Sequence, residues 1–137
     1  MQNILTIMLI EDDQIEVMKF NRILSKMDMN HNVIEANNGE EALNYLLKKE
    51  NLPSIILLDL NMPKVNGIEF LKILKNDDVL KYIPTIVLTT SNNYKDIFEC
   101  YKIGIAGYLV KPLKYEDYKN KLIKLLSYWS VNELITV

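Results

Sequence analysis

The sequence predicts an α/β protein: a doubly wound, five-stranded parallel sheet with helices on both faces. Two observations support this fold class. Short apolar runs alternate five times with longer segments in which apolar residues recur at helical spacing. Several of these runs lack polar alternation, which is typical of parallel strands buried on both sides. Strict alternation of strand and helix implies parallel strands joined by right-handed crossovers.

The five predicted strands are short and are bounded by turn-forming residues. Pro53 precedes the third apolar run, Pro84 precedes the fourth, and Pro112 follows the fifth. Prolines of this kind mark the ends of strands. The predicted strands cover residues 4–10, 32–36, 54–60, 85–90 and 106–110.

The five intervening segments each place apolar residues on one helical face. The first covers residues 14–28, with Val17 and Leu24 two turns apart. Asn38 followed by Glu41 resembles a capping box that begins the second helix. The later helices are predicted from Ile68, Leu71 and Leu74, from Ile97, Cys100 and Tyr101 within 93–103, and from Tyr118, Leu122, Leu125 and Trp129.

Composition indicates an ordinary globular protein. The chain has 137 residues, a net charge of −2, 49% hydrophobic and 25% charged residues. We expect one domain over 1–137, with a core over about 4–130 and an apolar tail over 131–137. The small charge gives no reason to expect nucleic acid or a membrane surface as partner. The single cysteine excludes an internal disulfide, which suits a reducing compartment. The apolar run 4–10 is shorter than the roughly 20 residues that span a bilayer. We therefore expect a cytoplasmic location.

Asp59 is the most informative single residue. It lies at the end of the apolar run 54–60, where a carboxylate is costly to bury unless its charge is used. The carboxyl ends of parallel strands share one sheet edge, where ligands and chemistry gather. The alternative is that Asp59 only forms a turn before Asn61.

Other strand ends bring suitable groups to the same edge. Glu11 and Asp12 follow the first strand, Thr89 lies at the end of the fourth, and Lys111 follows the fifth. Carboxylates placed together either rise in pKa or bind a cation, and oxygen ligands suit Mg²⁺. A metal, an ammonium group and a hydroxyl around the Asp59 carboxylate are what phosphoryl transfer to it requires.

Single residues also have ordinary explanations. One of Asp12 and Asp13 can cap the first helix, Thr89 can be a strand-favouring residue, and Lys111 can be a surface lysine. The convergence of several strand ends favours the functional interpretation. His31 is expected to be a solvated surface residue, and the cysteine is expected to fill the core.

Together these segments resemble the receiver domain of bacterial two-component response regulators. The resemblance covers about residues 4–129. It implies a flavodoxin-like (βα)5 fold with strand order 2-1-3-4-5, and a stand-alone receiver similar to the small regulators of phytochrome-type kinases. The motifs that carry it are IMLIEDD at 7–13, LLDLNMP at 57–63 followed by Gly67, PTIVLTT at 84–90 and GYLVKP at 107–112.

The resemblance implies a role for each central residue. Asp59 is expected to accept a phosphoryl group from a sensor histidine kinase or a histidine phosphotransfer protein. Lys111 is expected to pair with that group, and its bond to Pro112 is often cis in the family. Thr89 and Tyr108 are expected to form the conformational switch. Enzymatic activity is expected only toward the protein's own phosphorylation and dephosphorylation.

Mg²⁺ is the cofactor that the resemblance implies. Its expected ligands are Glu11, Asp12, Asp59 and the backbone carbonyl of Asn61. Glu11 occupies a position that is aspartate in many relatives, and its extra methylene can place a water between it and the metal. Asn61 and Ser91 match two variable positions that tune the lifetime of the acyl phosphate.

The last helix and the tail carry more apolar residues than one core face needs. This surplus predicts a partner or a homodimer through the fourth helix, fifth strand and fifth helix; alternatively, the tail folds back on its own domain. The residues concerned are Ile123, Leu126, Tyr128, Trp129, Leu134, Ile135 and Val137.

Three other classes of protein share part of the pattern. A dehalogenase-type, Mg²⁺-dependent aspartyl-phosphate hydrolase uses the same nucleophile but usually has a second aspartate where this chain has Asn61. A flavin- or nucleotide-binding module needs a glycine- or hydroxyl-rich turn where this chain has the acidic residues 11–13. The third class is an interaction module that is never phosphorylated.

Overall fold

The computed structural model describes residues 2–62 and 65–135, and in this part five strands alternate with five helices. The strands are β1 (Thr6–Ile10), β2 (Asn32–Ala36), β3 (Ile55–Leu58), β4 (Thr85–Thr89) and β5 (Gly107–Val110). The helices are α1 (Gln14–Ser25), α2 (Gly39–Leu46), α3 (Gly67–Asn76), α4 (Tyr94–Ile103) and α5 (Tyr115–Ser130). A short 3₁₀ helix, Leu80–Tyr82, precedes β4.

The strands form one parallel sheet of order β2-β1-β3-β4-β5. Both the predicted fold class and the predicted strand order are therefore confirmed. In the pairing register Ile10 lies beside Leu58, and Thr89 lies beside Val110. The residues that follow these strands consequently emerge at the same edge of the sheet.

Alternate residues of each central strand face opposite halves of the core. In β1, Ile7 and Leu9 pack toward α1 and α5, whereas Met8 and Ile10 pack toward α2, α3 and α4. All four side chains are buried, as expected for a parallel strand that is covered on both sides. The cysteine of α4 lies in the second of these halves and is fully buried, as predicted.

The core face of α5 differs from the prediction. Tyr118, Leu122 and Leu126 are buried, whereas Leu125 and Trp129 are only partly buried against the same half of the core. The buried residues recur at a spacing of four, which is the row that helices most often use in packing. Leu126 therefore belongs to the core and not to the apolar surplus. In the tail, Leu134 packs on this core while Ile135 is 65% exposed, and Val137 lies outside the described residues.

At the opposite edge of the sheet, where the strands begin, side chains form hydrogen bonds with the backbone of β1 and the residue before it; we call this the amino edge. His31 Nδ1 accepts the Leu5 backbone N–H at 2.9 Å, and Ser54 Oγ accepts the Thr6 N–H at 3.0 Å. His31 is partly buried, so the prediction of a solvated histidine was wrong. Burial lowers the pKa of His31. In the part of the chain that the structure describes, no helix is both long enough and apolar enough to cross a membrane.

Candidate functional site

Backbone hydrogen bonds fix the strand ends that carry the site. The Asp59 N–H donates to the Ile10 carbonyl at 3.1 Å, so Asp59 lies beside the turn that follows β1. The Lys111 N–H donates to the Thr89 carbonyl at 2.7 Å, which joins the ends of β4 and β5. Residues that are up to a hundred positions apart are thereby held at one edge by the sheet itself.

Asp59 is contacted directly by the residue at the end of β4. The Thr89 hydroxyl donates to Asp59 Oδ1 at 2.8 Å, and the Asn61 backbone N–H donates to the same oxygen at 3.3 Å. Thr89 is fully buried and Asp59 is half-buried, whereas Asn61 is exposed. The carboxylate is therefore fixed on its protein side and lies close to solvent.

Three carboxylates converge at this edge. Oxygens of Glu11, Asp12 and Asp59 all lie within 4.8 Å of one another. Asp13 is not part of the group, because its Oδ1 accepts the Ile15 N–H at 2.9 Å and caps α1. Hard oxygen donors at this spacing suit a divalent cation such as Mg²⁺. The chemistry of the donor set therefore fits metal binding.

A buried ion pair adjoins the acidic cluster. Lys111 Nζ donates to Glu11 Oε1, and the two side chains are only 7% and 4% exposed. Burial raises the pKa of Glu11 to about 7, although the hydrogen bond from Lys111 and its charge act in the opposite direction. Lys111 is thus a core cation rather than a surface lysine, and its partner in this arrangement is Glu11.

A second group of hydrogen bonds extends from Thr89 to α4 and β5. The Tyr108 hydroxyl donates to the Ser91 carbonyl at 2.9 Å, and the Ser91 hydroxyl donates to Asp96 Oδ2 at 3.0 Å. Burial raises the pKa of the Tyr108 hydroxyl. Asp96 was missed by the sequence analysis. The only sequence signal for Asp96 was its position as an acidic residue in the first turn of α4. Acidic residues are common there simply because they interact favourably with the helix dipole, so the position does not indicate a function.

The structure brings the predicted site residues into one neighbourhood. A cleft of about 220 Å³ is lined by Glu11, Asp12, Asp13, Glu16, Asp59, Asn61, Thr90 and Lys111. The bond between Lys111 and Pro112, which is often cis in the family that the sequence resembles, is trans here, and no cis peptide bond occurs in residues 2–62 or 65–135. The roles assigned to the individual residues stay predictions.

Residues 7–123 match the response regulator receiver domain, and the chain belongs to this family. The family consists of signalling proteins, and a phosphoacceptor role is general to it. The chain is 34% identical over 128 residues to response regulator Rcp1 from Synechocystis sp., covering 90% of this chain and 87% of Rcp1. It is 35% identical over 127 residues to a probable methanogenesis regulatory protein, FilR2, from Methanothrix harundinacea, covering 90% and 82%.

Solved structures give the same family. The phosphorylated cyanobacterial phytochrome response regulator RcpA superposes with a TM-score of 0.90 at 32% identity, covering 97% of this chain and 99% of RcpA. The Mn²⁺-bound form of Rcp1 also gives a TM-score of 0.90, at 30% identity and with 96% and 99% covered. The predicted resemblance to small phytochrome-associated regulators is therefore confirmed.

Proposed function

We propose that this receiver, with a core over about 4–130, accepts a phosphoryl group on Asp59 from a sensor histidine kinase or a histidine phosphotransfer protein. The convergence of Glu11, Asp12 and Asp59 within 4.8 Å, with Thr89 bonded to Asp59 at 2.8 Å, is the observation that carries the proposal. The phosphorylated form of the similar RcpA supports it. Because its donor is a kinase that acts in the cytoplasm, we propose the same location for this protein.

The proposed reaction is a displacement at phosphorus. An oxygen of the ionised Asp59 carboxylate forms the new bond to phosphorus as the nitrogen–phosphorus bond of a phosphohistidine breaks. The leaving imidazole keeps the electron pair of that bond and takes a proton from solvent. The protein is not a turnover enzyme in this scheme, because Asp59 is itself the acceptor.

Mg²⁺ would be held by Asp12, Asp59 and the carbonyl of Asn61, with Glu11 contributing directly or through water. When bound, the ion offsets negative charge on the transferring group. The exposed position of Asp12 favours direct binding, whereas the carboxylate of Glu11 is already engaged by Lys111. The existence of a Mn²⁺-bound form of the similar Rcp1 supports binding of a divalent ion by this chain.

Thr89 and Lys111 are the proposed sensors of the phosphoryl group. The Thr89 hydroxyl, which here donates to Asp59 Oδ1, would donate to a phosphoryl oxygen instead. Lys111 would exchange Glu11 for the phosphoryl group and so remain paired with an anion, while Glu11 would face Mg²⁺, directly or through water, in place of Lys111. Tyr108 would move with Thr89, while Asn61 and Ser91 would set the lifetime of the acyl phosphate.

We place the output surface on α4, β5 and α5. Helix α4 buries its cysteine but leaves the rings of Tyr94 and Phe98 exposed and stacked at 6.2 Å. Leu113, after β5, is fully exposed, and Tyr128 of α5 is 59% exposed. Exposed apolar groups of this size favour a homodimer or another protein partner. The charge of −2 supports neither nucleic acid nor a membrane surface.

The test is incubation with Mg²⁺ and a small-molecule phosphodonor, followed by intact-mass measurement. Wild type is expected to gain one phosphoryl group, and Asp59→Asn is expected to gain none. Asp13→Asn is the matched control, because asparagine caps a helix as well as aspartate does and the neighbouring charge is lost. Labelling of Asp59→Asn equal to that of wild type would contradict the proposal.

A further inference from the structure

Ser91 joins three elements at the end of β4. Its backbone N–H donates to Thr89 Oγ1 at 3.5 Å, and its carbonyl accepts from the Tyr108 hydroxyl at 2.9 Å. Its own hydroxyl donates to Asp96 Oδ2 at 3.0 Å. Thr89 lies in the site, Tyr108 in β5, and Asp96 in the first turn of α4. A displacement of Ser91 therefore acts on all three.

The Ser91–Asp96 bond is stronger than an ordinary hydroxyl contact. The hydroxyl has one proton, and that proton is donated to a charged acceptor. The Asn93 N–H donates to the same Ser91 oxygen at 3.4 Å, so the hydroxyl is held from two sides in the turn that leads into α4. Ser91 and Asp96 are both partly buried, which reduces competition from water.

We infer that Asp96 is a positioning residue: by accepting the Ser91 hydroxyl, it holds Thr89 and Tyr108 in the arrangement in which Thr89 donates to the Asp59 carboxylate. The inference rests on the proposed phosphorylation of Asp59. An acyl phosphate there presents phosphoryl oxygens to Thr89, and a shift of Thr89 pulls on the backbone of Ser91. The bond to Asp96 opposes that shift, so its removal makes switching easier.

Because Asp96 is negatively charged, its hydrogen bond with Ser91 is expected to weaken when Asp59 is phosphorylated. A phosphoryl group adds roughly 1.5 to 2 negative charges at Asp59. Asp96 lies near the acceptor, because it lines one cleft together with Leu60 and Asn61, the two residues that follow Asp59. Repulsion between the new charge and Asp96 therefore acts against the Ser91–Asp96 bond in one arrangement only, as a switch requires.

The test is the affinity of the full chain for beryllofluoride, a phosphoryl mimic, measured by calorimetry with Mg²⁺ present. Ser91→Ala and Asp96→Ala each remove the bond and are each expected to raise the affinity about threefold or more. The double variant is expected to show no more than the larger single effect, because both changes remove the same contact. Asp96→Asn keeps an oxygen that accepts from Ser91 but loses the charge, so it is expected to raise the affinity by less than Asp96→Ala does.

Glu99→Gln is the matched control for charge on α4. Glu99 lies on the same helix and pairs with Lys72 at 4.0 Å rather than with Ser91, so its loss is expected to leave the affinity unchanged. Amide NMR gives a second readout. In Ser91→Ala without the mimic, the Tyr108 and α4 signals are expected to move toward those of mimic-bound wild type. Thermal unfolding of each variant shows separately that the fold is retained.

Three results would overturn the inference. They are unchanged affinity in both single variants, additive effects in the double variant, and Asp96→Asn behaving like Asp96→Ala. A wild-type chain that binds no beryllofluoride would instead overturn the proposed phosphorylation of Asp59, and the two failures are therefore distinguishable.

Discussion

The two edges of the sheet hold the same strands by different interactions. At the carboxyl edge a buried ion pair joins Lys111 to Glu11, which is one of the three carboxylates of the acidic cluster. At the amino edge a neutral contact, His31 to the Leu5 N–H at 2.9 Å, closes β1 against the start of β2. A neutral hydrogen bond contributes about 1 kcal/mol, whereas breaking a buried ion pair by removing one partner costs about 3–5 kcal/mol.

This difference separates the tasks of the two edges. In the proposed function, the buried charges at the carboxyl edge respond to a new anion or cation, because their pairing would be exchanged. The neutral contacts at the amino edge have no charge to exchange and serve only to hold the strands. Substitutions at the carboxyl edge should therefore change both stability and phosphoryl labelling, and those at the amino edge should change stability alone.

Lys111→Met is expected to have the largest effect on stability. It leaves the Glu11 carboxylate buried without its cation, at a cost of about 3–5 kcal/mol. Burial already raises the pKa of Glu11 from 4.5 to about 7, and loss of the lysine raises it further. Above pH 4.5 the folded variant then keeps a proton that the unfolded chain has released. Its stability therefore falls as the pH rises toward the folded pKa, as urea unfolding at several pH values would measure.

The exposed Lys48 supplies the control for Lys111→Met. Lys48→Met is expected to change the free energy of unfolding by less than about 0.5 kcal/mol at any of these pH values. Adding Glu11→Gln to Lys111→Met is expected to recover part of the loss, because no charge is then left buried. The prediction would be contradicted if Lys48→Met and Lys111→Met lost the same free energy of unfolding at every pH. The buried pair of Glu11 and Lys111 would then contribute no more to stability than an exposed lysine does.

Gly67→Ala tests the backbone that supports the acceptor. A Cβ at Gly67 would lie 2.7 Å from Leu60 Cα and 3.1 Å from the Asp59 carbonyl oxygen, so the backbone after β3 must shift. We expect a loss of about 1–3 kcal/mol in urea unfolding together with slower phosphoryl labelling. Gly107→Ala is the control, since its Cβ would meet Ile86 Cγ2 at an ordinary 3.7 Å. Labelling at the wild-type rate in Gly67→Ala would contradict the prediction.

His31→Ala is expected to have the smallest effect, about 1 kcal/mol, because it leaves the Leu5 N–H without its acceptor. Burial lowers the pKa of His31 below 6.5, so in acid the unfolded chain binds a proton that the folded protein does not. The contribution of His31 to stability therefore falls as the pH drops below 6.5, opposite in sign to that of Glu11, and His31→Gln should lack this contribution over the same acid range. Denaturant unfolding across this range measures the difference. A reduced rate of phosphoryl labelling in His31→Ala would contradict the expectation that substitutions at the amino edge change stability alone.

Much of the site could be predicted because it depends on sheet topology. Asp59, Thr89 and Lys111 each follow or end an apolar run, and parallel strands bring such ends together whatever lies between them. Asp96 could not be predicted in this way. Its contact with Ser91 depends on the path of the turn between β4 and α4, and an acidic residue in the first turn of a helix is common for other reasons.

The core face of α5 shows a similar limit. The apolar residues of this helix can be arranged in two different rows at helical spacing, one that includes Leu125 and one that includes Leu126. Helical spacing alone cannot choose between them, because both fit a period of 3.6 residues. The crossing of α5 over the sheet selects the row of Tyr118, Leu122 and Leu126, which is buried.

By itself the sequence determined which chemical groups stand at the carboxyl edge, since the pattern of apolar runs decides where each strand ends. Only the tertiary structure decided how those groups pair: Lys111 with Glu11, Thr89 with Asp59, and Ser91 with Asp96. The physical reason is that the hydrophobic pattern is a property of the local sequence. Hydrogen bonds and ion pairs instead depend on distances of a few ångströms between residues that are far apart in the sequence.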